Sequence, residues 1–100
     1  MDAFVALADP TRRRIVESLT GGERTFGDIA ADFDISGPAV SQHLRVLRDA
    51  GIVGVRRDAQ RRIYRLEPRG LDDVSDWLNR LRGFWNERLD DLERALAKPS

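Results

Sequence analysis

The spacing of apolar residues changes several times along this chain, and the changes mark its elements. Residues 2–8, DAFVALA, make an amphipathic turn or two in which Phe4, Val5 and Leu7 need cover, since so short a helix has no stability of its own. Asp9-Pro10 reads as a cap followed by a first-position proline. TRRRIVESL then runs as a helix with Ile15, Val16 and Leu19 inward, closed by Gly21-Gly22. Thr25 with Asp28 three residues on is a capping-box start, after which Phe26, Ile29, Ala30 and Phe33 recur at helical spacing to a predicted end near Asp34. Ile35 is expected as an apolar plug in the turn that follows. Ser36 is a good N-cap, and Pro38 falls in the first turn of a helix that starts at about Gly37 and ends at Ala50-Gly51, with glycine where a left-handed C-cap is wanted.

From residue 52 the helical spacing gives way to a strand pattern. Residues 52–57 and 61–66 surround the turn-like joint Asp58-Ala59-Gln60, which predicts a hairpin. Strand side chains alternate, so Val53 and Val55 share one face, as do Tyr64 and Leu66 on the other strand. That face can be buried on the helices while arginines stay at the tip. Pro68 breaks the second strand, Gly70 resets the chain, and a long helix follows over residues 71–96. Leu71, Val74, Leu78, Leu81, Trp85, Leu89, Leu92 and Leu96 step along it by threes and fours, and Trp77 and Phe84 widen the stripe. So much apolar surface on so small a domain is best buried against a second copy of the same helix. The tryptophans could instead line a ligand pocket, although aromatic stripes at helical spacing are more often core. Gly83, inside this helix, costs roughly 1 kcal/mol against alanine.

The helix after Ser36 is where the pattern points to chemistry. At about 100° per residue, His43, Leu44 and Leu47 fall on the side of Val40, while Pro38, Ser41, Gln42, Arg45 and Asp49 fall on the other. A bidentate amide, a small hydroxyl and a guanidinium near a helix N-terminus are what a recognition helix offers to base edges and phosphates. The preceding helix and turn complete a helix-turn-helix; an ordinary helical hairpin with a solvated outer face is the plainer reading. His43, on the core side, is expected in a hydrogen-bonded structural role. Arg12, Arg13 and Arg14 point about 100° apart on their helix, so they cannot form one patch and are expected solvated or locally paired.

Charge sharpens this picture. The 100 residues hold 17 basic and 17 acidic side chains and one histidine, so net charge says nothing of a partner. Its distribution does: residues 1–36 carry four arginines against seven acids, residues 37–66 carry seven against two, and residues 67–100 carry six bases against eight acids. The positive charge gathers behind the proposed reading helix. Arg56, Arg57, Arg61 and Arg62 flank the hairpin tip with a single acid in that stretch, suiting a wing that reaches over the phosphate backbone or into a minor groove. An edge hairpin protected from aggregation by its charges is the plainer alternative. With no cysteine there is no disulfide and no thiolate metal site, and one histidine with no phosphate loop leaves no constellation for nucleophilic or metal-assisted catalysis. No metal, cofactor or enzymatic activity is expected. The N-terminus lacks a signal-peptide layout and no apolar run approaches the length of a membrane span, so no membrane partner and a cytoplasmic location are expected.

Several segments, taken together and in order, resemble the winged helix-turn-helix repressors of the arsenical-resistance (ArsR) type: Leu7-Ala8-Asp9-Pro10-Thr11-Arg12-Arg13, the run Pro38-Ala39-Val40-Ser41-Gln42-His43-Leu44-Arg45-Val46-Leu47, Gly51-Ile52-Val53, and Ile63-Tyr64-Arg65-Leu66. The resemblance implies a dimer formed by the first and last helices, operator DNA held by two reading helices and two wings, and repression by blocking a promoter. Many such relatives release DNA on binding metal; with no cysteine here, and Asp72, Asp73, Asp76, Glu87 and Asp90 unaccompanied by histidine in the last helix, this chain looks like the cysteine-free branch, which commonly has arginine where this chain has Gly37.

The expectation is therefore a mainly α fold with a small β-hairpin: one winged helix-turn-helix domain over 1–100, with 25–50 as the helix-turn-helix, 52–66 as the wing, and 1–8 with 70–97 as dimerisation helices. Ser36, Gly37, Pro38, Ala39, Ser41, Gln42, Arg45, Arg56, Arg57, Gln60, Arg61 and Arg62 are expected at double-stranded operator DNA. Phe4, Leu7, Leu71, Val74, Leu78, Leu81, Phe84, Trp85, Leu89 and Leu92 are expected at the homodimer interface. A winged-helix module that binds another protein rather than DNA is the competing reading, and the sequence names no small-molecule effector.

Overall fold

Side-chain caps set the helix starts in a computed structural model that describes residues 2–97. Helix α1 (Ala3–Ala6) begins where an Asp2 carboxylate oxygen accepts the Phe4 N–H at 2.7 Å, and α2 (Pro10–Ser18) where Asp9 accepts the Arg12 N–H at 3.0 Å. Strand β1 (Arg24–Thr25) runs directly into α3 (Phe26–Ala31). There Thr25 Oγ1 accepts the Asp28 N–H at 3.1 Å and the Asp28 carboxylate accepts the Thr25 N–H at 3.2 Å, closing the capping box reciprocally. Helix α4 (Gly37–Asp49) starts with Ser36 Oγ accepting the Ala39 N–H at 3.2 Å. It ends before Gly51, whose φ of 77° makes the left-handed exit.

Strands β2 (Val53–Asp58) and β3 (Arg61–Leu66) form the hairpin, joined by Ala59-Gln60, with Ala59 at φ 58°. β1 adds to the free edge of β3, giving an antiparallel sheet of order β1-β3-β2 in which Thr25 lies opposite Ile63 and Arg56 opposite Ile63 from the other side. Val53, Val55, Tyr64 and Leu66 share the face turned toward the helices. The core is built from Ile15, Ile29, Val40, Leu44, Leu47 and Ile52, each less than 2% exposed, so α2, α3, α4 and the residue that leads into β2 all contribute to one cluster.

A 3-10 turn (Pro68–Leu71) leads into α5 (Asp72–Ala97). The crossing is tight: a Cβ on Gly70 would stand 2.0 Å from the Gly51 carbonyl oxygen, so this position excludes any side chain. Leu71 and Val74 pack partly against the core, and beyond them none of the helix is buried. At 1.5 Å per residue α5 is about 39 Å long, which accounts for an extent of 64 × 26 × 21 Å. Among the described residues no helix is long and apolar enough to cross a membrane.

The fold departs from the sequence expectation in five places. Phe4 and Val5 are 41% and 56% exposed, while Ala3 and Ala6 turn inward because small side chains let the first turn lie close on the core. Ile35 is 42% exposed and does not plug the turn. α3 stops at Ala31, its Asp32 N–H returning to Ile29 and Ala30 carbonyls, short of Asp34. Ile63, on the hairpin face opposite Tyr64, is also nearly buried at 8%. Strand β1 was not expected at all.

Candidate nucleic-acid interface

α4 presents two unlike faces. Val40, Leu44 and Leu47 are sealed in the core, which fixes the rotation of the helix and turns Gln42 and Arg45 outward into solvent. Ser36, Gly37 and Pro38 are exposed at its N-terminus, whereas Ala39 and Ser41 are half-buried along its flank. A Cβ added at Gly37 would meet nothing within 4 Å, so this end of the helix is open to a close-approaching ligand backbone and has room for a longer side chain. The Ser36 hydroxyl oxygen already accepts from Ala39, leaving its O–H to donate elsewhere.

His43 steadies this helix from behind. Its side chain is 22% exposed, and Nδ1 lies 3.3 Å from an Arg12 guanidinium nitrogen and 3.9 Å from an Asp9 carboxylate oxygen. Arginine can only donate, so in this contact Nδ1 serves as the acceptor when the ring is neutral. Arg12 Nε also donates to the Ala6 carbonyl at 2.6 Å, so one guanidinium ties α1, α2 and α4 together. Arg13 donates to the Leu7 and Ala8 carbonyls, and Arg14 lies over the Phe33 ring at 4.9 Å. The three neighbouring arginines thus point to three different internal partners. The Arg12 N–H holds the Asp9 carboxyl below the usual carboxylate range despite some desolvation, with the His43 and Arg12 charges adding to the effect. Asp28 is likewise lowered, first by the Thr25 hydroxyl and then by the Thr25 backbone N–H, with Arg24 and Arg61 contributing at longer range.

The hairpin tip is less positive than its sequence suggests. Arg61 pairs with Asp58 at 3.0 Å across the turn, and Arg56 pairs at 2.8 Å with Glu23, an acid the linear reading did not associate with the wing. The Glu23 carboxylate holds the Arg56 guanidinium more firmly charged than usual, with Asp58 assisting. Arg62 lies over the Phe26 ring at 4.8 Å, docking the hairpin on the start of α3. Arg57 and Gln60 are exposed, and among the described residues Arg57 makes no ion pair. Between hairpin and α3 lies an open cleft of 320 Å³ lined by Thr25, Phe26, Gly27, Gln60, Arg61 and Arg62. Of the residues that engage the wing arginines, Glu23 has no signal in the sequence, while Phe26 reads there only as core and Asp58 only as turn. A 33-residue separation hides the first, and Phe26 looks like any core residue on a helical stripe.

On the far side of the molecule, Phe4 meets Trp77 edge to face with ring centroids 5.8 Å apart, joining α1 to α5. Phe84 and Trp85 pack edge to face at 5.2 Å, with Arg88 over Phe84 at 5.0 Å. Leu78, Phe84, Trp85, Leu89 and Leu92 are all exposed, and Leu81 is partly covered. Leu7, Leu71 and Val74, also expected at a dimer interface, are partly buried against the chain's own core.

Residues 9–55 match the sequence family described as bacterial regulatory protein, arsR family. The chain is 47% identical over 87 residues to the HTH-type transcriptional regulator Rv2034 of Mycobacterium tuberculosis, spanning 87% of this chain and 78% of that protein. It is 42% identical over 77 residues to the transcriptional repressor SdpR of Bacillus subtilis, spanning 77% and 86%. Its structure superposes on that of a possible transcriptional regulator for arsenical resistance with a TM-score of 0.75 and 44% identity, over 99% of both chains. It also matches the homodimeric winged helix-turn-helix DNA-binding domain of a possible ArsR-family regulator from Mycobacterium bovis, with a TM-score of 0.63 and 28% identity, over 89% and 80% of the two chains.

Proposed function

The chain belongs to the ArsR family of winged helix-turn-helix, DNA-binding transcriptional regulators, and on that premise we propose that it is a homodimeric repressor of an inverted-repeat operator, its own promoter included. The observation that carries this is the two-sided α4: Gln42 and Arg45 stand in solvent on the face opposite Val40, Leu44 and Leu47, beside an arginine-bearing hairpin. A homodimeric relative of the same fold and the exposed stripe of α5 support the assembly.

In this reading two α4 helices enter successive major-groove faces about 34 Å apart. Gln42 and Arg45 read base edges; Ser36, Gly37 and Ser41 approach phosphates near the helix N-terminus, where Pro38 and Ala39 leave little bulk. Arg57, with Gln60 and the paired Arg56, Arg61 and Arg62, anchors the backbone from the wing. Leu78, Leu81, Phe84, Trp85, Leu89 and Leu92 meet a second copy. No enzymatic step, metal or cofactor enters the mechanism.

Footprinting on the DNA upstream of the gene tests this directly: protection of two symmetric half-sites one helical turn apart is expected, and equal protection of scrambled DNA would overturn it. Within that site, Gln42→Ala is expected to cost about 1 to 3 kcal/mol and relax preference at one base position. Arg57→Ala is expected to weaken all duplexes alike and to lower the salt slope by about one per protomer.

A further inference from the structure

Three of the four wing arginines are engaged inside the chain, but their engagements differ in kind. Arg61 meets Asp58 within its own turn, and Arg62 stacks on Phe26. Arg56 reaches across the sheet. It belongs to β2, opposite Ile63 of β3, while Glu23 precedes β1 on the far side of β3, so the 2.8 Å pair spans the strand that separates them. The arginine stem thereby lies along the nearly buried Ile63, and its guanidinium ends on a carboxylate.

A guanidinium fork docked on a carboxylate has to release it before it can grip a phosphate, since both ligands use the same donors. We propose that Glu23 is a positioning residue for the wing, a built-in phosphate surrogate that occupies Arg56 in the free protein and thereby lowers its affinity for DNA. The proposal rests on the DNA-binding reading above and adds to it a residue outside the reading helix and hairpin. Both partners are about half exposed, with side-chain exposures of 51% for Arg56 and 43% for Glu23, so the pair is weak enough to be exchanged when DNA arrives. The competition is with phosphate and carries no base information. Glu23 therefore attenuates binding to every duplex alike, leaving discrimination to α4.

The test is a double-mutant cycle on the full chain with Glu23→Gln, Arg56→Gln and both together, titrated against the upstream duplex and a scrambled duplex of equal length over a range of salt. Glu23→Gln is expected to tighten binding to both duplexes by about two- to fivefold per protomer and to steepen the salt slope by up to about one per protomer. In the Arg56→Gln background it is expected to change nothing. An unchanged affinity in Glu23→Gln, or the same gain with and without Arg56, overturns the assignment. So does a lowered melting temperature with no tightening, which would make the pair a lid over Ile63. Absence of binding by all four proteins to either duplex would instead overturn the DNA-binding reading, and this assignment with it.

Discussion

Helices α4 and α5 carry the same kind of apolar stripe and meet opposite fates. In α4, 13 residues long, Val40, Leu44 and Leu47 disappear into a core supplied by the same chain. In α5, 26 residues long, no residue is buried, and Trp77, Leu78, Phe84, Trp85, Leu89, Leu92 and Leu96 remain between 44% and 78% exposed. An amphipathic pattern therefore specifies that a face will be covered, not by what. The difference is geometric: α4 lies among three helices and the sheet, whereas α5 leaves the domain after Val74 and keeps little of its own chain beside it beyond the Phe4–Trp77 contact with α1. One stripe stabilises the protomer; the other is surface that a second copy can bury.

Making the exposed stripe of α5 polar should separate the two copies. Leu89→Glu combined with Leu92→Glu is expected to give a monomer in sedimentation velocity whose core still unfolds cooperatively. Loss of paired half-site engagement should then reduce operator affinity by about a hundredfold or more. A dimer that survives both changes would place the contact elsewhere. The complementary change is Leu44→Ala on the buried stripe, expected to cost about 2 to 5 kcal/mol in urea unfolding, a large share of the roughly 5 to 15 kcal/mol that holds a domain together. If the two variants gave the same profile, the distinction between a stripe buried within the protomer and one buried between protomers would not hold.

The sequence revealed most where several local signals agreed. Ser36, Pro38, the Val40–Leu44–Leu47 spacing and Gly51 each point to the same helix with the same inward face, and the structure has that helix with that face. The hairpin was legible for the same reason, with alternation on both sides of a short polar joint. Strand β1 was not, because two residues, Arg24 and Thr25, are too few to show alternation, and their pairing with β3 is tertiary. Phe4 and Val5 misled because a four-residue helix leaves its phase open, and alanines rather than large side chains suit a close approach. The candidate site divides along the same line: the exposure of Gln42 and Arg45 follows from helical phase, while the Glu23–Arg56 pair depends on which strand lies between them, and no local pattern carries that information.

Gly83 reports on which side of α5 is covered. Taking Leu78 as the centre of the α5 stripe and advancing five residues at about 100° each places Gly83 about 140° away, on the side opposite Trp85, Leu89 and Leu92. A Cβ there meets nothing within 4 Å in the protomer. If the second copy covers the Leu78 side, the position stays in solvent in the dimer as well, and Gly83→Ala should behave as a simple exchange in an exposed helix interior. The expected result is a gain of about 1 kcal/mol, read as a higher melting temperature with unchanged dimerisation and unchanged operator affinity. A Gly83→Ala protein that dissociates would mean that a neighbouring backbone passes over this point, and that the partner covers a different face of α5 from the one the apolar stripe marks.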